Sequence, residues 1–147
     1  MDNLHEVDAW LDALLAKLEP AERKKMLREV ARDVRRIQQG NMTAQRAPDG
    51  SAWEPRRVSA RTKPGRIKRK MFVKLKTAKY LKTKVTVESA EVAFIPGVQR
   101  LARVHHYGLR ERLGPRKISV KYTERRLLGL DDEARIIIEG IVLAWLL

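Results

Sequence analysis

The sequence predicts an α+β fold with N-terminal helices, a small antiparallel sheet and a C-terminal helix. Three observations carry this: apolar residues at helical spacing over positions 4–37, alternating apolar and polar runs between 82 and 122, and an almost unbroken apolar stretch at 136–147.

The N-terminal pattern divides in two. Leu4, Val7, Leu11, Leu14 and Leu18 recur at helical spacing, with Trp10 and Leu15 beside them, and Asn3 followed by Glu6 has the form of a capping box. Pro20 disfavours helical geometry at Glu19 and suits the first turn of a second helix. That helix carries Leu27, Val30, Val34 and Ile37 on one face, and Lys24, Lys25, Arg28, Arg32, Arg35 and Arg36 around the rest. Residues 1–46 are therefore expected to form an α-hairpin.

Periodicity fails over 47–66. Pro48, Asp49, Gly50, Ser51, Pro55, Pro64 and Gly65 are turn formers or helix breakers, and Trp53 is the one large apolar anchor. A basic loop of that length is uncommon in a compact domain unless a function or a partner orders it. Ile67, Met71, Leu75 and Ala78 then predict a third helix. Val85 and Val87, then Val92 and Phe94, alternate with polar residues around Glu88-Ser89-Ala90-Glu91, which predicts a β-hairpin over 82–95. A short helix is expected over 98–106. Ile118, Val120 and Tyr122 alternate with Lys117, Ser119 and Lys121, marking a third strand of the same small sheet. Asp131 is a good N-cap for the last helix. The chain is long enough for one core, so residues 1–147 are expected to be a single domain with its α+β core at 67–147.

Composition excludes several classes. There is no cysteine, hence no disulfide framework and no thiolate metal site. The acidic N-terminus lacks the form of a signal peptide, and the apolar stretch at 136–147 is too short to span a bilayer, so no membrane association is expected. His5, His105 and His106 match no metal-binding spacing, and adjacent residues on a helix point about 100° apart. Asp131, Asp132 and Glu133 are what the first turn of a helix favours, without invoking a divalent ion. The glycines are scattered and form no phosphate-cradling loop. No enzyme, no cofactor and no metal are expected.

Charge is the informative feature: 32 Lys and Arg against 18 Asp and Glu give a net +14. No acid stands between Pro55 and Val87, where Arg56, Arg57, Arg61, Lys63, Arg66, Lys68, Arg69, Lys70, Lys74, Lys76, Lys79, Lys82 and Lys84 accumulate. Solvent ions, an acidic protein surface or a nucleic acid must compensate them, and phosphate contacts of this kind would be sequence-blind and salt-dependent. Only Phe72 and Tyr80 are interleaved, too few for a base-stacking platform. The C-terminal helix is apolar in nearly every direction, a pattern that demands burial on all sides. Ile137, Ile138, Ile141, Val142, Trp145 and Leu146 are accordingly candidates for a subunit interface. The competing reading makes this the central helix of a compact monomer.

Several stretches, taken together, carry a resemblance. They are Leu11-Asp12-Ala13-Leu14-Leu15-Ala16-Lys17-Leu18, Arg28-Glu29-Val30-Ala31-Arg32-Asp33-Val34-Arg35-Arg36, Asp49-Gly50-Ser51-Ala52-Trp53, Val104-His105-His106-Tyr107-Gly108-Leu109-Arg110 and Arg125-Arg126-Leu127-Leu128-Gly129-Leu130-Asp131. In this order the chain resembles the phage virion morphogenesis family. The resemblance implies a structural tail-completion or collar subunit at the head-proximal end of a contractile tail, in a phage or in a headless tail-like bacteriocin. It also implies a hexameric ring like those of neck and tail-terminator proteins, assembled in the bacterial cytoplasm and retained in the particle. Its partners would be further copies of itself, the tail tube or sheath and, in a phage, the head connector. Arg56, Arg57, Arg61, Lys63, Arg66, Lys68, Arg69, Lys70 and Lys74 would face the tube or DNA in the lumen. Trp53, His106, Tyr107, Gly108, Leu127, Leu128 and Gly129 would determine the fold. The alternative is a sequence-nonspecific nucleic-acid-binding protein.

Overall fold

The computed structural model describes residues 6, 9, 10, 12, 13, 16, 18–56, 70–116 and 118–147. Along them run helix α1 (Pro20–Thr43), strands β1 (Leu81–Val85) and β2 (Ala90–Phe94), helix α2 (Pro96–Tyr107), strands β3 (Arg110–Leu113) and β4 (Ile118–Lys121), and helix α3 (Asp132–Leu146). The α+β class holds. The first helix of the expected α-hairpin lies mostly outside the described residues, although Ala9, Trp10, Asp12 and Ala13 are helical. Residues 57–66 of the basic loop lie outside them too.

Helix α1 starts where Pro20 fixes φ at a position whose N–H has no intrahelical acceptor. It ends at Ala44, whose N–H bonds Gly40 O, and Gln45 then turns the chain with φ 57°. Its inner face serves two apolar clusters. Met26 and Val30 meet Ile141 of α3, with Leu18, Leu27, Val34, Ile137, Ile138, Val142 and Trp145 packed around them. Nearer its C-terminus, Met42 joins Ala47, Trp53, Leu75, Leu81, Phe94, Ala102 and Leu127.

Strands β1 and β2 pair antiparallel from Leu81↔Phe94 to Val85↔Ala90. Their turn is closed by Thr86, whose hydroxyl accepts from the Glu88 and Ser89 N–H groups at 3.2 and 3.0 Å. Leu81 and Phe94 are buried as a cross-strand pair, while Lys82 and Lys84 alternate outward.

Two expectations are corrected. Residues 71–80 form a run of turns and not a helix; positions 67–69 lie outside the described residues. Phe72 adopts φ 62°, which no helix interior tolerates. The Gln45 amide takes over backbone pairing there, accepting from Met71 N–H at 2.7 Å and donating to Met71 O at 2.9 Å. The left-handed turn sets the Phe72 ring edge-on between Trp53 and His105, with centroids 5.5 and 4.9 Å away. The second correction concerns the sheet. The strand at 118 does not join β1 and β2 but pairs with β3 in a separate hairpin, from Arg110↔Lys121 to Leu113↔Ile118. Strand β3, Arg-Glu-Arg-Leu, has a single apolar residue and so shows no alternation to read. Tyr122 falls just past the end of β4.

Candidate functional site

Residues 122–131 belong to no helix or strand, yet they run as a strap between α1, α2 and the segment around Trp53. An unpaired backbone there must find other partners, and the motif residues supply them. The Arg125 N–H donates to His105 O at 2.8 Å, and the Leu127 N–H donates to His106 Nδ1 at 3.1 Å. The Trp53 indole donates to Arg126 O at 2.9 Å. Gln38 of α1 embraces Gly129, donating to its carbonyl at 2.8 Å and accepting from its N–H at 3.1 Å. Arg125, itself buried, donates through Nε to Glu54 O and through Nη2 to Pro55 O, tying the strap to the segment that leads into the basic loop.

Close approach explains both motif glycines. Gly108 ends α2 with φ 64°, and a Cβ there would sit 2.9 Å from the Glu124 backbone nitrogen. At Gly129 a Cβ would press on the Pro48 ring at 3.0 Å. Leu127 is wholly buried, Leu128 half-buried, and Tyr107 stays exposed against the His106 ring at 4.6 Å. Trp53, His106, Tyr107, Gly108, Leu127, Leu128 and Gly129 are thus brought together around one strap. Sequence reasoning missed Gln38 and gave Arg125 no role. The signal for Gln38 was a polar residue four after Val34, on the apolar face of the helix.

Both histidines are held below the ordinary value of 6.5. Burial is the main cause, helped by the Arg125 charge for His105 and the Arg126 charge for His106, and opposed by Glu111 and Glu124 respectively. As an acceptor, His106 Nδ1 must be unprotonated. The unfolded chain therefore takes up protons at a higher pH than the folded one. The contribution is fully present above 6.5 and is lost as pH falls from there toward the folded values. Thermal melts from about pH 7.5 to 5.5 are expected to show falling stability, and a His106→Gln variant is expected to show a flatter profile. Equal slopes would remove His106 from the account.

The basic candidates are only partly described. Arg56, Lys70 and Lys74 are exposed, whereas Arg57, Arg61, Lys63, Arg66, Lys68 and Arg69 lie outside the described residues. Among the described residues, none of Lys70, Lys74, Lys76, Lys79, Lys82 and Lys84 has a carboxylate within 4.0 Å. Lys70 and Lys76 reach instead to Thr43, and Lys79 lies over the Tyr80 ring.

On α3, Ile141 is buried, and Ile137, Ile138, Val142 and Trp145 are half-buried against the α1 cluster of the same chain. Leu146 is half-buried as well. The face picked out by sequence therefore already has a partner within the same chain, because α1 offers its own apolar stripe to it. The outward line is different: Ile136 is 67% exposed and Leu143 42%. Among the described residues no cluster of acids and histidines could hold a metal, and no helix is long and apolar enough to cross a membrane.

This is an α+β chain whose most distinctive residues bind its own backbone, and which turns cationic and apolar surface outward. The chain belongs to the phage virion morphogenesis family, which it matches over residues 2–147. It is 37% identical to tail completion protein S of Escherichia phage P2 over 148 residues, covering 99% of each chain. No solved structure matches it.

Proposed function

We propose that the chain is a non-enzymatic subunit that completes the head-proximal end of a contractile tail, in a phage or in a headless tail-like particle. The observation that carries this is the 37% identity to a tail completion protein across 99% of both chains. The strap motifs support it, since Trp53, His106, Arg125 and Gly129 are spent on holding the fold. In the particle the subunits form a ring, expected to be hexameric and assembled in the bacterial cytoplasm. They meet the tail tube or sheath on one side and, in a phage, the head connector on the other. Ile136 and Leu143 of α3 are the apolar residues that such assembly would cover, with Ile141 and Trp145 supporting them from beneath. The cationic surface around Arg56, Lys70 and Lys74 faces the tube or DNA in the lumen. Deleting the gene should yield tails of irregular length or tails that do not join heads, restored by the gene in trans. Normal particles from the deletion strain would refute the reading.

A second reading, an autonomous DNA-binding protein, is favoured by the lysines between 70 and 84 that lack a carboxylate partner among the described residues. It predicts retention on DNA with a slope of about −0.9 in log–log salt dependence per phosphate neutralised. Lys70→Glu with Lys74→Glu should then lower the slope by about two contacts without changing the melt. No retention at low salt retires this reading.

A further inference from the structure

Strands β3 and β4 make a hairpin arm. At its base, Glu111 accepts from Arg100 at 2.8 Å and faces the body. At its tip the cross-strand pair Leu113 and Ile118 is left 43% and 59% exposed. Arg110 stands directly opposite Lys121, an unfavourable like-charge pair, with Arg112 and Arg116 also exposed nearby. Among the described residues none of these four cations has a carboxylate within 4.0 Å.

Elsewhere α1, β2, the strap and α3 enclose an open groove of about 380 Å³. Its walls are Val30, Val34, Ala90, Val92, Leu128 and Ile138, and the amide of Gln38 within it is already bonded to Gly129. Glu91 and the 56%-exposed Leu130 stand at its sides, and Asp132 and Glu133 follow Leu130 at the head of α3. None of these three acids has a cation within 4.0 Å among the described residues. The arm is convex, apolar at its tip and cationic; the groove is concave and apolar, with Glu91 in its wall and Asp132 and Glu133 two and three positions past its Leu130. They share no residue.

We infer that the β3–β4 arm of one copy docks in the α1–β2–α3 groove of the next, Leu113 and Ile118 filling the apolar floor while arginines meet Glu91, Asp132 and Glu133. Such a contact joins two different faces, so it propagates from copy to copy and closes where the rotation allows. It rests on the ring of the proposed function and names the contact that builds it.

The chain has no cysteine, so directed cross-linking is clean. Ile118→Cys and Leu130→Cys, carried on separately tagged copies of the full chain, are mixed and oxidised. A disulfide between the two tagged copies is expected, and the double variant is expected to give a ladder of higher multimers. Ile118→Asp should weaken self-association by at least about tenfold with an unchanged melt, because the side chain is already in water in the single subunit. Arg112→Glu should weaken it too and be rescued by Glu91→Arg or Glu133→Arg. Sedimentation that shows assembly without the mixed disulfide overturns this contact and leaves the ring standing. A disulfide within one copy of the double variant, or one formed only between two copies of the Ile118→Cys chain, overturns it likewise. A chain that is monomeric both alone and with tails overturns the contact and the ring together.

Discussion

Trp53→Ala is expected to destabilise the folded chain by about 3–5 kcal/mol, the range for truncating a large buried aromatic. For a domain of this size that lowers Tm by roughly 10–15 °C. The side chain is 8% exposed and belongs to the cluster that includes Leu81, Phe94 and Leu127. Its ring meets Phe72 edge-on, its indole N–H holds the Arg126 carbonyl, and its backbone N–H bonds Gln45 O at 2.9 Å. Removing it would empty the centre of the cluster and release the strap at once. Trp53→Phe separates the two effects: much of the packing survives, while the Arg126 carbonyl loses its donor, at a cost of about 1–3 kcal/mol if it stays dry. Denaturant titration of both variants checks the division. An alanine variant melting within about 3 °C of the parent would show that the strap is anchored elsewhere.

Trp53 was legible in the sequence as an anchor because it stands alone among turn residues, but what it anchors was not. Its acceptor lies 73 positions away, on a strap with no periodicity of its own. The same limit hid Arg125 and Gln38, whose partners lie 71 and 91 positions distant. Regular elements were readable where burial is one-sided: α1 and the β1–β2 hairpin each show a pattern that one neighbour explains. Met71 to Tyr80 misled because Met71, Leu75 and Ala78 do keep helical spacing. There, tertiary bonds from Gln45 and the aromatic seat of Phe72 overrode local propensity. Charge was fully legible as a quantity and silent as a location. The alternation that exposes Lys82 and Lys84 follows from a register set by the buried pair Leu81 and Phe94. In α3 the all-round apolar composition asks for burial on every side, whereas α1 covers one face only and leaves Ile136 and Leu143 outside.

That division yields the second large effect. Trp145→Ala is expected to lower the stability of the single subunit by about 3 kcal/mol, since Trp145 is half-buried where α3 crosses α1. Its indole N–H donates to Glu29 Oε2 at 2.7 Å, a bond between residues 116 positions apart that fixes the two helices together. The loss should appear at every protein concentration, because the partner of Trp145 is within its own chain; a defect confined to self-association would instead make Tm concentration-dependent. Glu29→Gln keeps an acceptor and should retain most of the stability, which isolates packing as the larger part. Ile136→Asp supplies the contrast from the opposite face. That side chain is 67% exposed, so its replacement should leave the melt of the dilute chain in place and impair only the proposed assembly. If Trp145→Ala melts like the parent while Ile136→Asp unfolds the subunit, the two faces of α3 have been assigned in reverse.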